Sequence, residues 1–187
     1  VQKGDFGYLS YKKKFSSVMT IGMFALSLAI YLMGYFTTKT NANLLTVVAV
    51  LGCLPASKAL VELFMILPHK TVAAEIVEEV EQRADNLTRN YDLVFTSEKK
   101  IMPVDSIVIK GNTICGYSSK KKHSPQIIEE HLKQYLNANQ LQKASVKIFN
   151  DFSSYLVRVE EMNRLKCDED VKKNELAISK VITNLSL

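Results

Sequence analysis

The chain has 187 residues, 24 of them basic and 19 acidic, for a formal charge of +5. That excess does not mark a nucleic-acid binder: residues 1–67 hold six basic and two acidic residues, while residues 68–187 hold 18 and 17, without the bias of a duplex-binding surface. Three cysteines (Cys53, Cys115 and Cys167) stand far apart, with no CxxC or Cys/His spacing, and so support neither a disulfide framework nor a zinc site.

From Phe15 to Phe36 there is no charged residue. Such a helix rises about 33 Å, against about 30 Å of bilayer hydrocarbon. Tyr31 and Tyr35 near its far end suit an interfacial belt. The run is too long for the h-region of a signal peptide, and no small-x-small cleavage site follows it. A second apolar segment runs from Leu44 to Leu67 and is interrupted by Lys58 and Glu62. These two are four apart, so they share a helix face and can pair. They lie about 21 and 27 Å along the axis from Leu44, toward one end of the span. Two readings stand for them: a self-neutralised, snorkelling pair, or an intramembrane contact to a partner subunit or substrate path. Pro55, one turn earlier, predicts a kink. Lys12, Lys13 and Lys14 flank the first helix, whereas the link Thr37–Asn43 carries only Lys39. The positive-inside rule then puts the N-terminus and everything after residue 68 in the cytoplasm, on a two-span hairpin integral to the cell membrane.

Residues 68–187 read as a small α/β domain. Thr71–Asn90 is amphipathic at helical spacing, with Val72, Ile76, Val80 and Leu87 on one side. Asp92–Thr96, Ile101–Lys110 and Thr113–Ser118 read as a meander of three strands, turning at Ser97–Lys100 and at Gly111-Asn112. After a basic loop, Ser119–His123, Ser124 and Pro125 open a helix to about Asn139. Ser145–Phe149 is a fourth strand, Asp151 caps a further helix, and a last helix covers about Asp168–Leu185. The order is α-β-β-β-α-β-α plus that last helix, and helices must cover the sheet to bury its apolar face.

This order, with Asp105 opening the stretch Val104–Ile109, the Gly111 turn, and Thr113–Tyr117 leading to Lys120, resembles the PD-(D/E)xK or restriction-endonuclease-like superfamily, including its nuclease-related domains. The resemblance implies a restriction-endonuclease-like core. It also implies a site in which two carboxylates hold a divalent metal such as Mg and a lysine orients the attacking water. Asp105 falls at the first carboxylate and Lys120, fifteen residues on, at the lysine. Ser118 stands where the family places Glu or Asp, and a neutral hydroxyl cannot replace a carboxylate on a hard cation. Glu78 or Glu79 on the first helix of the domain would have to supply the missing acid.

Other chemistries find less support. Cys115 sits in an alternating strand that would bury it, and the Pro-Cys-His-Arg pattern of DNA-alkyl acceptors is absent. His69, His123 and His131 do not show metal-ligand spacing. No phosphate-cradling glycine loop is present. The expected protein is a membrane-anchored accessory or interaction protein, cofactor-free, with a catalytically degenerate domain. Its partners are the bilayer and a protein or a second copy. The alternatives are a membrane-bound metal-dependent nuclease and a subunit of a membrane transport assembly.

Overall fold

The computed structural model describes residues 2–40, 43–97, 100–120, 124–165 and 169–187. Lys121, Lys122, His123 and Cys167 lie outside the described residues. The chain divides into two compact units, Ser10–Pro68 and a second made of Val1–Leu9 with His69–Leu187. Sequence reading divides it at residue 67 and groups the first nine residues with the hairpin. They fold instead with the α/β unit, because the Tyr91 N–H donates to the Gly4 carbonyl at 2.7 Å and the Gly7 N–H to Asp92 at 3.1 Å.

The first unit is a pair of helices, α1 (Tyr8–Thr38) and α2 (Leu44–Ile66). Both are long and apolar enough to cross a membrane. Only 17% and 11% of their most apolar windows are buried, the reverse of a core helix in a soluble protein. Apart from Leu9 and Ile66 at the helix ends, the buried residues include small ones: Ser16, Thr20 and Ser27 on α1 and Ala49 and Ala56 on α2. A Cβ added at Gly52 would stand 2.8 Å from the Ser27 hydroxyl, so the backbones approach closely there. Asn43 caps α2 by accepting from the Thr46 N–H at 2.8 Å. The helix continues through Pro55, and the Ser57 hydroxyl donates to the Cys53 carbonyl at 2.8 Å. The expected Lys58–Glu62 ion pair is not formed: no salt bridge among the described residues joins them, Lys58 is exposed and Glu62 half-buried.

In the second unit, the expected helix over 71–90 is shorter. α3 spans Ala74–Arg83, and residues 88–90 belong to β1 (Thr88–Ser97). β2 (Lys100–Lys110) and β3 (Thr113–Tyr117) complete the antiparallel meander. α4 (Pro125–Ala138) carries the chain over to β4 (Ser145–Phe149), which runs parallel to β3. The sheet order is β1-β2-β3-β4. α5 (Phe152–Asn163) and α6 (Glu169–Leu185) follow. Alternate residues of each strand feed opposite layers. On one face Phe95, Met102, Ile107, Ile109, Ile114 and Ile148 pack against Ile128, Leu132 and Leu136 of α4 and Ile178 and Ile182 of α6. On the other, Tyr91, Val108, Cys115 and Tyr117 pack against Val77 and Val80 of α3 and Tyr155, Val159 and Met162 of α5. The unit is a three-layer α/β/α sandwich.

Its exposed edges are managed differently. Along β1, Gly4 receives the Tyr91 N–H, Leu187 donates to the Val94 carbonyl at 3.0 Å, and Ser186 bridges Phe95. The β4 edge is short, and the Glu129 carboxylate accepts the Ile148 N–H there at 2.9 Å. At the β2–β3 turn, Gly111 adopts φ +57, a conformation that favours glycine. The buried Glu175 carboxylate holds this turn, accepting from the Gly111 N–H at 2.8 Å and the Thr88 hydroxyl at 3.1 Å. Glu175→Ala leaves both donors without their acceptor and is expected to cost about 2–3 kcal/mol in denaturant unfolding. A loss below about 0.5 kcal/mol would mean that water replaces the carboxylate.

Candidate functional site: a polar row across the sheet

The register sets four polar residues side by side. Tyr91 pairs Ser106 and Leu93 pairs Val104, so Asp92 stands opposite Asp105. Ser106 pairs Tyr117, which sets Asp105 opposite Ser118, one step beyond β3. Tyr117 pairs Phe149, which sets Ser118 beside Asn150. The row Asp92–Asp105–Ser118–Asn150 lies where β3 and β4 end at their carboxyl termini and only β1 and β2 continue. In open α/β sheets, crevices for ligands form outside the carboxyl ends of strands.

The row also breaks the pleat. Tyr91 faces the α3/α5 layer and Leu93 the α4/α6 layer, although two residues apart should share a face. β2 reverses at the same level. Val104 faces α4/α6, whereas the Ser106 hydroxyl meets the Tyr155 hydroxyl at 2.9 Å in the opposite layer. The reversal falls on Asp92, whose φ of +54 is left-handed. Asp and Asn tolerate that conformation better than other residues with a side chain.

Each member of the row has defined partners. Asp92 is 4% exposed and accepts three backbone N–H groups: Val72 at 2.8 Å, Gly7 at 3.1 Å and Leu9 at 3.4 Å. Burial pushes its carboxyl above the ordinary value; the three N–H groups pull the other way, and the Asp105 charge opposite adds to the rise. Asp105 is half-buried and accepts the Ser119 N–H at 2.6 Å. Ser118 is buried, and its hydroxyl donates to the Pro103 carbonyl at 2.8 Å. Lys120 is exposed and donates to Nδ1 of the buried His69 at 3.4 Å. An ammonium can only donate, so the His69 ring accepts there.

The three positions carried by the resemblance thus gather at one end of the sheet, but the fourth group does not join them. Glu78 and Glu79 are exposed on α3, and Glu79 pairs with Arg83 at 3.0 Å. Among the described residues, no group of three or more His, Cys, Asp or Glu could hold a metal ion. Cys115 is fully buried, and burial pushes its thiol up to about 12, which leaves no thiolate for nucleophilic chemistry near neutral pH. His131 is half-buried on α4.

Sequence reading missed Asp92, taking it as the first residue of a strand. Its signal was a single charge inside the apolar run Tyr91-Asp92-Leu93-Val94-Phe95. Asn150 and His69 carried no comparable signal. Set against protein-family models, curated proteins and solved structures, the chain matches none.

Proposed function

We propose that this chain is a membrane-anchored accessory protein whose α/β unit is a catalytically degenerate nuclease-like domain that acts by binding, in the cytoplasm. The observation that carries this reading is the composition of the polar row. Asp105 faces Ser118 instead of an acid, and the other carboxylate in reach, Asp92, already holds three backbone N–H groups. A divalent metal would find one carboxylate and one hydroxyl, too little to bind or to activate water. Lys120, the residue that would orient the water, instead meets His69.

The membrane anchor rests on α1 and α2. Val18, Ile21 and Leu26 on α1 are 71%, 70% and 63% exposed, and Leu54 on α2 is 67% exposed. Apolar surface of this extent suits lipid as solvent and not water. Lysines at one end of the pair and a single lysine in the connection favour a cytoplasmic α/β unit.

The test is direct. The full-length protein in mild detergent, with Mg2+ or Mn2+, is expected to leave single-stranded DNA, duplex DNA and RNA uncut, and Asp105→Asn is expected to change nothing. Metal-dependent cleavage that Asp105→Asn abolishes would overturn the degenerate reading in favour of the nuclease.

A further inference from the structure

The α/β unit loses the chain at Leu9 and regains it at His69. Both crossing points lie on one patch of that unit, since the Gly7 and Leu9 N–H groups and the Val72 N–H all end on Asp92. The cations around this patch are notable. Lys70 is exposed next to His69, and exposed Lys120 reaches His69 from the end of β3. His69 is three residues past Ile66, the last residue of α2, so the chain permits at most about 10 Å between them. Within the helical unit, Lys12, Lys13 and Lys14 occupy the first turns of α1, and Lys13 donates to the Leu67 carbonyl at 3.1 Å, at the end of α2. Of the acids on the α/β unit here, Asp92 accepts its three backbone donors, Asp105 the Ser119 N–H and Asp5 the Gln2 N–H at 2.7 Å. Lysines therefore flank both crossing points along the chain.

We propose that this patch seats on anionic lipid headgroups, with Lys70 and Lys120 of the α/β unit contacting lipid phosphate. The inference rests on the membrane-anchored reading above. It commits to lipid and not to a free phosphate or nucleotide. The cations follow the chain at its two crossings between the units, next to the ends of the apolar helices in sequence, which matches a surface of phosphates better than one anion. Lysines next to a span gain from the negative surface potential of an anionic leaflet, and the gain is screened by salt.

The test uses full-length protein in nanodiscs of phosphatidylcholine alone or with one quarter phosphatidylserine or phosphatidylglycerol, read by hydrogen exchange of the backbone at residues 69–73 and 117–120. Exchange there is expected to slow at least about fivefold in the anionic discs, and to return toward the neutral-disc rate in about 0.5 M salt. Lys70→Gln with Lys120→Gln is expected to remove most of the difference. Equal exchange of the wild type in both discs overturns the proposal, and so does protection that survives in the double variant. The wild-type comparison decides alone if the variant does not fold. Equal slowing by inorganic phosphate in neutral discs also overturns it, because the site is then one for a free anion. Release of the protein from membranes by alkaline carbonate would instead remove the anchored reading itself.

Discussion

Asp92→Ala is expected to destabilise the α/β unit by about 3–5 kcal/mol. The loss has two parts. Three N–H groups lose a buried charged acceptor, at roughly 1–3 kcal/mol for each one that water fails to reach. Alanine must also hold φ near +54, which costs about 1–2 kcal/mol for a residue with a Cβ. Two further variants separate the parts. Asp92→Gly relieves the backbone and loses only the acceptor, so it should be less damaging than alanine. Asp92→Asn keeps one acceptor oxygen and a left-handed preference, so it should be the mildest. Denaturant midpoints of the full-length protein in detergent give the order, and an alanine variant as stable as wild type would mean that the carboxylate holds nothing.

The same residue sets a pH dependence. Its carboxyl is raised in the folded protein, so between its ordinary value and its folded value the folded state binds more protons than the unfolded one. Stability from this group therefore increases as pH falls through that window and is lost as pH rises through the folded value. Asp92→Asn carries no such proton. The stability difference between wild type and Asp92→Asn should shift in favour of the wild type on acidification from pH 7 toward pH 4. A difference that stays flat over that range would contradict the burial of the charge.

The second large effect is in the hairpin. Leu26 lies near the middle of α1 and is 63% exposed. With lipid as its solvent, Leu26→Arg replaces a favourable residue by one that costs about 3–4 kcal/mol at the centre of a span. Val157 on α5 is 59% exposed and makes the control, because an arginine in water there should change stability by less than about 0.5 kcal/mol. Membrane integration of the two variants, read as resistance to carbonate extraction and as insertion efficiency of the α1 segment, should separate them sharply. Equal behaviour would argue that α1 does not meet lipid.

Much of the fold could be read locally. α4, β4 and α5 begin within a residue of their expected positions because their start signals are local. Asp151 accepts from the Ser154 N–H at 2.8 Å as an N-cap should. Ser124 occupies the N-cap of α4, but its hydroxyl meets the Gln126 side chain and not the backbone. The helix expected over 71–90 overran because Thr88, Arg89 and Asn90 look like a helix end. They become strand by pairing with Ile109, Val108 and Ile107, the fully buried C-terminal part of β2, and no local pattern announces that. The polar row was half visible. A turn at Gly111-Asn112 already sets Asp105 opposite Ser118. The use made of Asp92 was not visible, since two of its donors are 85 and 83 residues away in sequence. The Lys58–Glu62 pairing failed for a simpler reason. Spacing of four permits contact but does not require it.

The discontinuity of the α/β unit has a consequence for how it forms. Its first nine residues are made before the helical pair and the other 119 after it. Joining Leu9 to His69 across the intervening 59 residues would cost a flexible chain on the order of 3–4 kcal/mol in loop-closure entropy. A helical pair whose two ends already meet, as Lys13 and Leu67 do, removes most of that cost before the sheet assembles. Prior closure of the helical pair would then act as a template for the α/β unit. A fragment beginning at residue 69 has no such loop to close but lacks two of the three donors to Asp92, and should fold poorly.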